Sequence, residues 1–342
     1  MKIKQELFGK LDDGREVIKY KLINDNLQIN IINYGGIITE LYAPDKEGKR
    51  ENIVLGFDNL EDYIDKSPYF GAIIGRHAGR IEQASFKLEG QPYKLAQNEG
   101  EHNLHGGVEG LDKKLWQVKE IDNGLLLNYS SPHLEEGFPG KVEFEIKYLL
   151  KGDSLEIEYQ AIPDRKTIIN LTNHSYFNLT GNCKDDILNH KLLINAEEFL
   201  KLDQDSIPTG EIKQVAGSAF DFREFKKIGA EIDSSEEQLE FTDGYDHPFI
   251  LAEKEPAVIL KEEESGRVMK IATDQAVVVF YAGNKLGPEG LLNGGIKSKA
   301  RLGLCLETQA YPNAVNLSEL PTQIYTPENY YSAKTRYQFS TE

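Results

Sequence analysis

The chain is poor in the residue that builds covalent cross-links and many metal clusters. Its 342 residues include only two cysteines, Cys183 and Cys305, which lie far apart in the sequence. A disulfide framework or a cysteine-based metal site needs more cysteines at closer spacing. We therefore expect two buried free thiols with no covalent role.

Positive charge is also scarce. The chain has 39 lysines and arginines against 56 aspartates and glutamates, which gives a formal net charge of -17. Such a surface repels phosphate backbones and acidic membranes. We expect no nucleic-acid partner and no membrane partner, whereas a neutral small molecule would meet no electrostatic barrier.

Long apolar runs are missing as well. No stretch approaches the roughly 20 apolar residues that a membrane-spanning helix needs. The first five residues contain no apolar stretch after their charges, which a secretory signal peptide would require. The expected location is the cytoplasm.

The dominant pattern in the sequence is a period of two. Between residues 141 and 148, four apolar side chains alternate with charged ones: Val142, Phe144, Ile146 and Tyr148. This alternation predicts a strand with one buried face. Residues 151–154 predict a turn, and alternation resumes at Leu155, so the two segments are expected to form an antiparallel hairpin.

Other segments predict further strands and little helix. Residues 27–32 and 87–95 are strand-like, and the apolar run at 276–281 predicts a strand buried on both faces. One short helix is predicted at residues 59–63, with Asp58 as its N-cap. Frequent glycine and proline fit many strands joined by turns. The fold class is therefore all-β: one large antiparallel β-sandwich domain spanning residues 1–342.

Five segments carry more polar side chains than strands require, at residues 68–81, 98–107, 170–179, 243–248 and 304–313. The first contains two arginines around a glycine, and the second contains two histidines beside a double glycine, where a ligand can approach the backbone closely. A lone histidine or glutamate in such a segment is more often structural than catalytic. No single segment decides the function.

Together these segments resemble one family. The strings Leu-His-Gly-Gly at 104–107, Asn-His-Ser-Tyr-Phe-Asn-Leu at 173–179 and Leu-Glu-Thr-Gln at 306–309 are similar to those of the aldose 1-epimerases, or galactose mutarotases. Matching stretches begin at Asn-Tyr-Gly-Gly, residues 33–36, so the resemblance spans nearly the whole chain in consistent order.

The resemblance implies a fold and an activity. The fold would be the galactose mutarotase-like supersandwich, with a sugar cleft on one sheet. The activity would be that of an isomerase of carbohydrate metabolism, which interconverts the α and β anomers of free aldoses such as galactose and glucose. It would need no cofactor and no metal ion, because a carboxylate and an imidazolium can move both protons.

The resemblance also implies the site. Glu307 matches the general base that takes the proton from the C1 hydroxyl, and His174 matches the general acid that protonates the ring oxygen. We expect the acidic site to keep His174 protonated, with Glu307 ionised beside it. The implied sugar-binding residues are Gly79, Arg80, His105, Ser175, Tyr176 and Asp246.

The chain departs from the family pattern at two positions. A glutamine that contacts sugar in some members would fall near Val279, and Gly79 replaces an asparagine found in some relatives. The difference at Val279 puts the transfer of fine sugar specificity in doubt. Neither touches the proposed proton-transfer pair.

Three alternatives remain open. A metal-dependent enzyme could use ligands drawn from His102, His105, His174 and Asp246, although no compact ligand signature is present. A non-catalytic sugar-binding protein could keep the same cleft. An epimerase of sugar phosphates would need extra basic residues there, and the candidates for these are Lys297, Lys299 and Arg301.

Overall fold

The structure is a computed structural model that describes residues 1–287 and 290–342. Within these residues the chain is built almost entirely of strands. The first fifteen are β1 Lys2–Lys10, β2 Glu16–Ile23, β3 Gln28–Ile32, β4 Ile38–Pro44, β5 Arg50–Asn52, β6 Ile73–Ile74, β7 Arg80–Ile81, β8 Ser85–Leu88, β9 Gln91–Lys94, β10 Asn103–Leu104, β11 Gln117–Ile121, β12 Gly124–Ser131, β13 Val142–Lys151, β14 Ser154–Pro163 and β15 Thr167–Ile168.

The second half continues in the same way. Its strands are β16 Thr172–Asn173, β17 Tyr176–Phe177, β18 Lys191–Ile194, β19 Ala196–Leu202, β20 Pro208–Gln214, β21 Lys226–Lys227, β22 Asp246–Leu251, β23 Val258–Lys261, β24 Arg267–Thr273, β25 Val277–Tyr281, β26 Leu291–Leu292, β27 Ile296–Lys297, β28 Leu304–Gln309, β29 Ile324–Tyr325 and β30 Tyr331–Thr341.

Helix is confined to short segments of at most six residues in the part of the chain that the structure describes. The two α-helices are α1 Leu60–Asp65 and α2 Glu237–Thr242. Short 3-10 turns occur at Glu82–Ala84, Leu111–Lys113, Glu135–Gly137, Ile228–Ala230, Asn293–Gly295 and Ala314–Asn316. Neither α-helix has the length or the apolar character to cross a membrane.

Three antiparallel sheets dominate the architecture. The largest has nine strands in the order β11-β12-β13-β14-β30-β24-β23-β18-β21. A six-stranded sheet has the order β17-β28-β25-β22-β19-β20, and a five-stranded sheet runs β1-β2-β3-β4-β5. The predicted all-β, antiparallel sandwich is thus confirmed.

One principal core joins the three sheets. Ile146 and Ile157 come from the nine-stranded sheet, Phe249 from the six-stranded sheet and Ile29 from the five-stranded sheet, and all four belong to the same buried cluster. The sheets therefore pack face to face, each contributing alternate residues of its strands. This packing fixes the six-stranded sheet, on which the cleft described below is built.

The predicted hairpin is confirmed. β13 pairs with β14 from Val142↔Pro163 to Lys151↔Ser154, and Gly152 takes the positive φ of 60° that the turn requires. Val142, Phe144, Ile146 and Tyr148 are all buried, as the alternation predicts. Their burial locks the register, because a slip by one residue would expose the whole apolar set.

Four local expectations differ from the structure. Residues 87–95 form the end of the hairpin β8–β9 rather than one strand, since Glu89 and Gly90 turn with positive φ. Helix α1 is capped by Asn59, whose side chain accepts from Asp62 N, and not by Asp58. One face of β25 is only partly buried, because Val279 and Tyr281 open onto the cleft. Cys305 is buried, but Cys183 is only partly so.

Candidate active site

The cleft lies on the six-stranded sheet and is reached by loops from the first half of the chain. Strand β28 supplies Glu307, β25 supplies Val279 and Tyr281, and β22 supplies Asp246. Because β28 and β25 pair with Glu307 opposite Val279, these side chains share one face. Arg80, at the start of β7, and His105, directly after β10, line the same cleft.

Glycines explain how the Leu-His-Gly-Gly segment turns inward. His105, Gly106 and Gly107 all have positive φ, which is costly for histidine and free for glycine. A Cβ on Gly106 would lie 2.0 Å from the carbonyl oxygen of Gly75, so only glycine fits there. The packed turn holds the His105 ring against the cleft.

Glu307 and His174 meet at the floor of the cleft. Glu307 Oε1 lies 3.4 Å from His174 Nε2, and both residues are at least 95% buried. The other ring nitrogen, His174 Nδ1, lies 3.4 Å from Cys305 Sγ. The aromatic rings of Tyr176 and Tyr69 lie 5.1 and 5.7 Å from the imidazole, centroid to centroid. These contacts fix the ring so that Nε2 faces the carboxylate.

Burial drives both groups toward their neutral forms. It lowers the pKa of His174 to about 4. It raises the pKa of Glu307 well above the ordinary value, with Asp246 adding to the rise and Arg80 opposing it. The sugar-free site thus differs from the expected imidazolium and carboxylate, because desolvation outweighs the acidic surroundings. Burial thus favours the neutral imidazole and the protonated carboxyl when no sugar is bound.

His105 is held in one tautomer. The backbone N–H of Gly79 donates to His105 Nδ1 at 3.2 Å, so in the neutral ring the proton resides on Nε2. Burial lowers the pKa of His105 well below its usual value, and nearby His174 and Arg80 lower it further. His105 therefore presents a neutral N–H donor to the cleft.

His105, His174 and Glu307 form a set of residue types that could hold a divalent ion. One possible ligand atom of each lies within 4.8 Å of the others. An ion at His105 Nε2, however, would have to displace the proton that the Gly79 contact places there. His102 is not part of this set, because its Nδ1 accepts from the backbone of Gln83. The tautomer favours hydrogen-bond donation over metal binding at His105.

Arg80 reaches the cleft as part of an ion pair. Its Nε lies 2.7 Å from Glu99 Oε2, and its Nη2 donates to Glu99 Oε1 at 2.9 Å. This two-point contact holds the guanidinium plane still. Asp246 also lines the cleft, and burial raises its pKa while Arg80 lowers it. A fixed donor and a buried acceptor together suit a polyhydroxylated ligand.

The structure brings most of the predicted site residues together. Those that line the cleft are Gly79, Arg80, His105, His174, Tyr176, Asp246 and Glu307. Ser175 is the exception, since its hydroxyl donates to Asn173 Oδ1 at 2.7 Å and it does not line the cleft. The sugar-binding role of Ser175 stays a prediction, and its observed contact is with the protein.

Sequence reasoning missed several residues of the cleft. Tyr69, Glu99, Tyr281, Lys285 and Gln309 all line it. Gln309 could have been found, because it stands two residues after Glu307 on a strand and so shares its face. Glu99 could not, since its role depends on a pairing with Arg80 across two loops.

Comparisons with known proteins agree with this geometry. The family model described as aldose 1-epimerase matches residues 19–338. The chain is 41% identical to galactose mutarotase of Bos taurus over 99% of this chain and 98% of the relative. It is 35% identical to aldose 1-epimerase of Escherichia coli (strain K12), over 93% of this chain and 94% of the relative.

A solved structure shares the whole fold. The galactose 1-epimerase of Lactobacillus acidophilus superposes with a TM-score of 0.87 at 27% sequence identity, covering 99% of both chains. Both the sequence matches and this superposition extend across the sheets and the cleft. The chain therefore belongs to the aldose 1-epimerase family.

Proposed function

We propose that this chain interconverts the α and β anomers of free aldoses, galactose and glucose among them, with Glu307 as general base and His174 as general acid. The observation that carries the proposal is the 3.4 Å approach of His174 Nε2 to Glu307 Oε1 at the floor of a cleft lined by sugar-binding groups. Membership of the family supports the same reaction.

Ring opening moves two protons in a balanced way. Glu307 takes the proton of the C1 hydroxyl, and His174 gives a proton to the ring oxygen. The bond between C1 and the ring oxygen breaks, and the aldehyde C=O forms at C1. The products are the open-chain sugar, a neutral imidazole and a protonated Glu307.

Ring closure reverses these transfers after rotation about the C1–C2 bond. His174 takes back the proton of the C5 hydroxyl as its oxygen attacks C1 on the other face. Glu307 returns its proton to the oxygen on C1. The pair holds one proton before, during and after the cycle, so no external acid or base is consumed.

The pKa shifts suit this cycle. Burial favours neutral His174 and protonated Glu307, which is the state that ring opening leaves behind. Sugar hydroxyls that donate to Glu307 stabilise the carboxylate, and this favours the charged pair needed to begin. Sugar binding would thus oppose the effect that burial has on Glu307.

The remaining polar groups would bind and orient the sugar. His105 Nε2 and the Arg80 guanidinium are donors, and Asp246 is an acceptor. We assign them to ring hydroxyls, with Tyr176 and Tyr69 supporting the His174 ring. Gly79 serves by its backbone, since a Cβ there would lie 2.7 Å from the Pro312 side chain.

A sugar-phosphate substrate is less well supported. Lys299 and Arg301 pair with Asp186 and Asp233, and together with Lys297 they lie outside the residues that line the cleft. The cleft's two described cations are Arg80, which is already paired with Glu99, and Lys285, which lies close enough to Asp246 to lower the pKa of that carboxyl. A phosphate would also meet Asp246 and Glu307. A neutral monosaccharide is the ligand that this charge pattern favours.

We further propose that residues 1–342 act as one domain. The principal core includes residues from Tyr20 to Phe339, so the two ends of the chain depend on the same packing. Neither end would retain its share of the core without the other.

Polarimetry tests the function. Freshly dissolved α-D-galactose or α-D-glucose is mixed with the chain in the presence of a chelator, with galactose 6-phosphate as a third substrate. We expect fast relaxation to the equilibrium rotation for the two free sugars. Methyl α-D-galactoside, which has no C1 hydroxyl, should not change. Relaxation at the spontaneous rate for both free sugars would contradict the proposal.

A further inference from the structure

Gln309 is a buried polar side chain of the cleft without a partner in the described protein. It is the last residue of β28, is 0% exposed and lines the same cleft as Glu307. Neither its Oε1 nor its Nε2 has a hydrogen-bond partner among residues 1–287 and 290–342. A primary amide can accept through the oxygen and donate two bonds through the nitrogen.

Such a side chain is unusual on physical grounds. Buried polar groups in proteins nearly always have partners, because an unpaired amide loses its bonds to water without replacement. The cross-strand partner of Gln309 on β25 is Val277, and the residues that line the cleft with Gln309 include Val279, Pro208 and Pro312, none of which has a polar side-chain atom. The amide weakens the folded state unless something in the cleft completes its hydrogen bonds.

The adjacent residue shows the contrast. Thr308 points to the opposite face of β28, where its hydroxyl lies 2.6 Å from Thr335 Oγ1. Thr308 is therefore satisfied within the protein, and Gln309 is not. Of these two neighbouring residues, Thr308 has a polar contact within the protein, whereas the amide of Gln309 remains available to a ligand.

We propose that Gln309 binds the aldose directly, pairing its amide with neighbouring hydroxyls of the sugar ring and so contributing to the choice of sugar. Its Nε2 donates to one hydroxyl and its Oε1 accepts from the next. Val279, across from Glu307, offers no polar atom, so the amide on this wall of the cleft is that of Gln309. The assignment rests on the proposed function, because it supposes an aldose in this cleft.

The test compares Gln309→Leu with Thr308→Val. Galactose affinity is measured by isothermal titration, kcat and KM by polarimetry, and Tm by calorimetry. For Gln309→Leu we expect Kd and KM to rise about tenfold or more, with kcat within about threefold and Tm unchanged or higher. For Thr308→Val we expect a lower Tm with Kd unchanged.

Deoxy sugars identify the contact. In the wild type, one or two monodeoxygalactoses should bind about tenfold more weakly than galactose, and Gln309→Leu should lose that discrimination. An unchanged Kd in Gln309→Leu would overturn the assignment, and so would a lower kcat at unchanged Kd, which would instead mean that Gln309 orients Glu307. Gln309→Met provides a second apolar variant should leucine impair folding.

The two proposals fail in different ways. If the wild type accelerates mutarotation and Gln309→Leu binds galactose equally well, only the role of Gln309 is overturned. If the wild type binds galactose without accelerating mutarotation, the catalytic proposal fails, and the titrations still decide for or against Gln309.

Discussion

Glu307 Oε1 and His174 Nε2 face each other at 3.4 Å, both shielded from solvent. At this distance the protonation states of the two groups depend on each other, so we expect them to titrate as a pair. Both groups line the same cleft, so a sugar bound there would meet both of them. The proposed reaction needs one acid and one base, which this pair would supply when it carries a single proton.

The first prediction concerns pH. At low pH the pair takes a second proton, which removes the base, and burial places the pKa of His174 at about 4. At high pH the pair loses its proton, which removes the acid, and this loss lies well above the usual pKa of glutamate because Glu307 is buried. We therefore expect a bell-shaped dependence of kcat/KM, falling on the acid side toward pH 4.

Polarimetry in about 12 buffers between pH 3.5 and 10 would trace this curve. The rate of mutarotation in each buffer without protein is subtracted first. A flat kcat/KM across that range would contradict the idea that the pair works with one proton. Cleft groups that also titrate, such as Asp246, would be checked with Asp246→Asn, which should change KM more than the position of the two limbs.

The second prediction separates Arg76 from Arg80, two arginines of the 68–81 segment. Arg80 lines the cleft, so Arg80→Lys should raise KM about tenfold while Tm changes little, because lysine cannot keep the two-point contact with Glu99. Arg76 instead donates to backbone carbonyls, among them those of Pro132 and Gly140, and is buried. Arg76→Lys should lower Tm and leave KM unchanged.

Kinetics and calorimetry on the two variants check this contrast. The account of Arg80 would be wrong if Arg80→Lys kept the KM of the wild type. The account of Arg76 would be wrong if Arg76→Lys were as stable as the wild type while binding galactose poorly.

The third prediction concerns a buried acid away from the cleft. Asp112 is 7% exposed, its Oδ1 has no hydrogen-bond partner in the described residues, and burial raises its pKa to about 7. A carboxyl whose pKa is raised on folding lowers the free energy of unfolding when it ionises. This penalty grows as the pH rises past the unfolded pKa and is complete above the folded pKa. The penalty is thus largest above pH 7 and fades toward pH 4.

Asp112→Asn should therefore stabilise the fold at pH 8 by up to a few kcal/mol, and by much less at pH 5. Urea unfolding of both proteins at the two pH values measures the difference. Equal stabilisation at pH 5 and pH 8 would show that the benefit does not come from removing a buried charge. Mutarotation by the variant should match the wild type, since Asp112 does not line the cleft.

The fold class and most of the site could be predicted from the sequence, the first from periodicity and the second from the family resemblance. Alternation over residues 141–148 predicts the hairpin β13–β14 directly, since side-chain direction follows from period alone. The family resemblance predicts Glu307, His174 and Arg80, all of which line the cleft. Long-range pairings such as Arg80 with Glu99 lie beyond local pattern, because they depend on how two loops pack.

Two further features could not be read from sequence. The partial exposure of one face of β25 depends on the cleft beside Val279 and Tyr281, and an apolar run looks the same with or without a cleft. The lowered pKa of His174 depends on how deeply the ring is buried. The numbers of acidic and basic residues in the sequence do not reveal that depth. Both follow from tertiary packing.

The most direct test is the mutarotation of α-D-galactose by Glu307→Gln. Its rate is compared with that of the wild type when the same fraction of each protein has galactose bound. The substitution keeps the shape of the side chain and removes its basicity. We predict that kcat falls about 10²–10⁴-fold, while the Kd for galactose stays within a few-fold of the wild-type value. Turnover by Glu307→Gln at the wild-type rate would contradict the assignment of the general base and, with it, the proton-sharing pair.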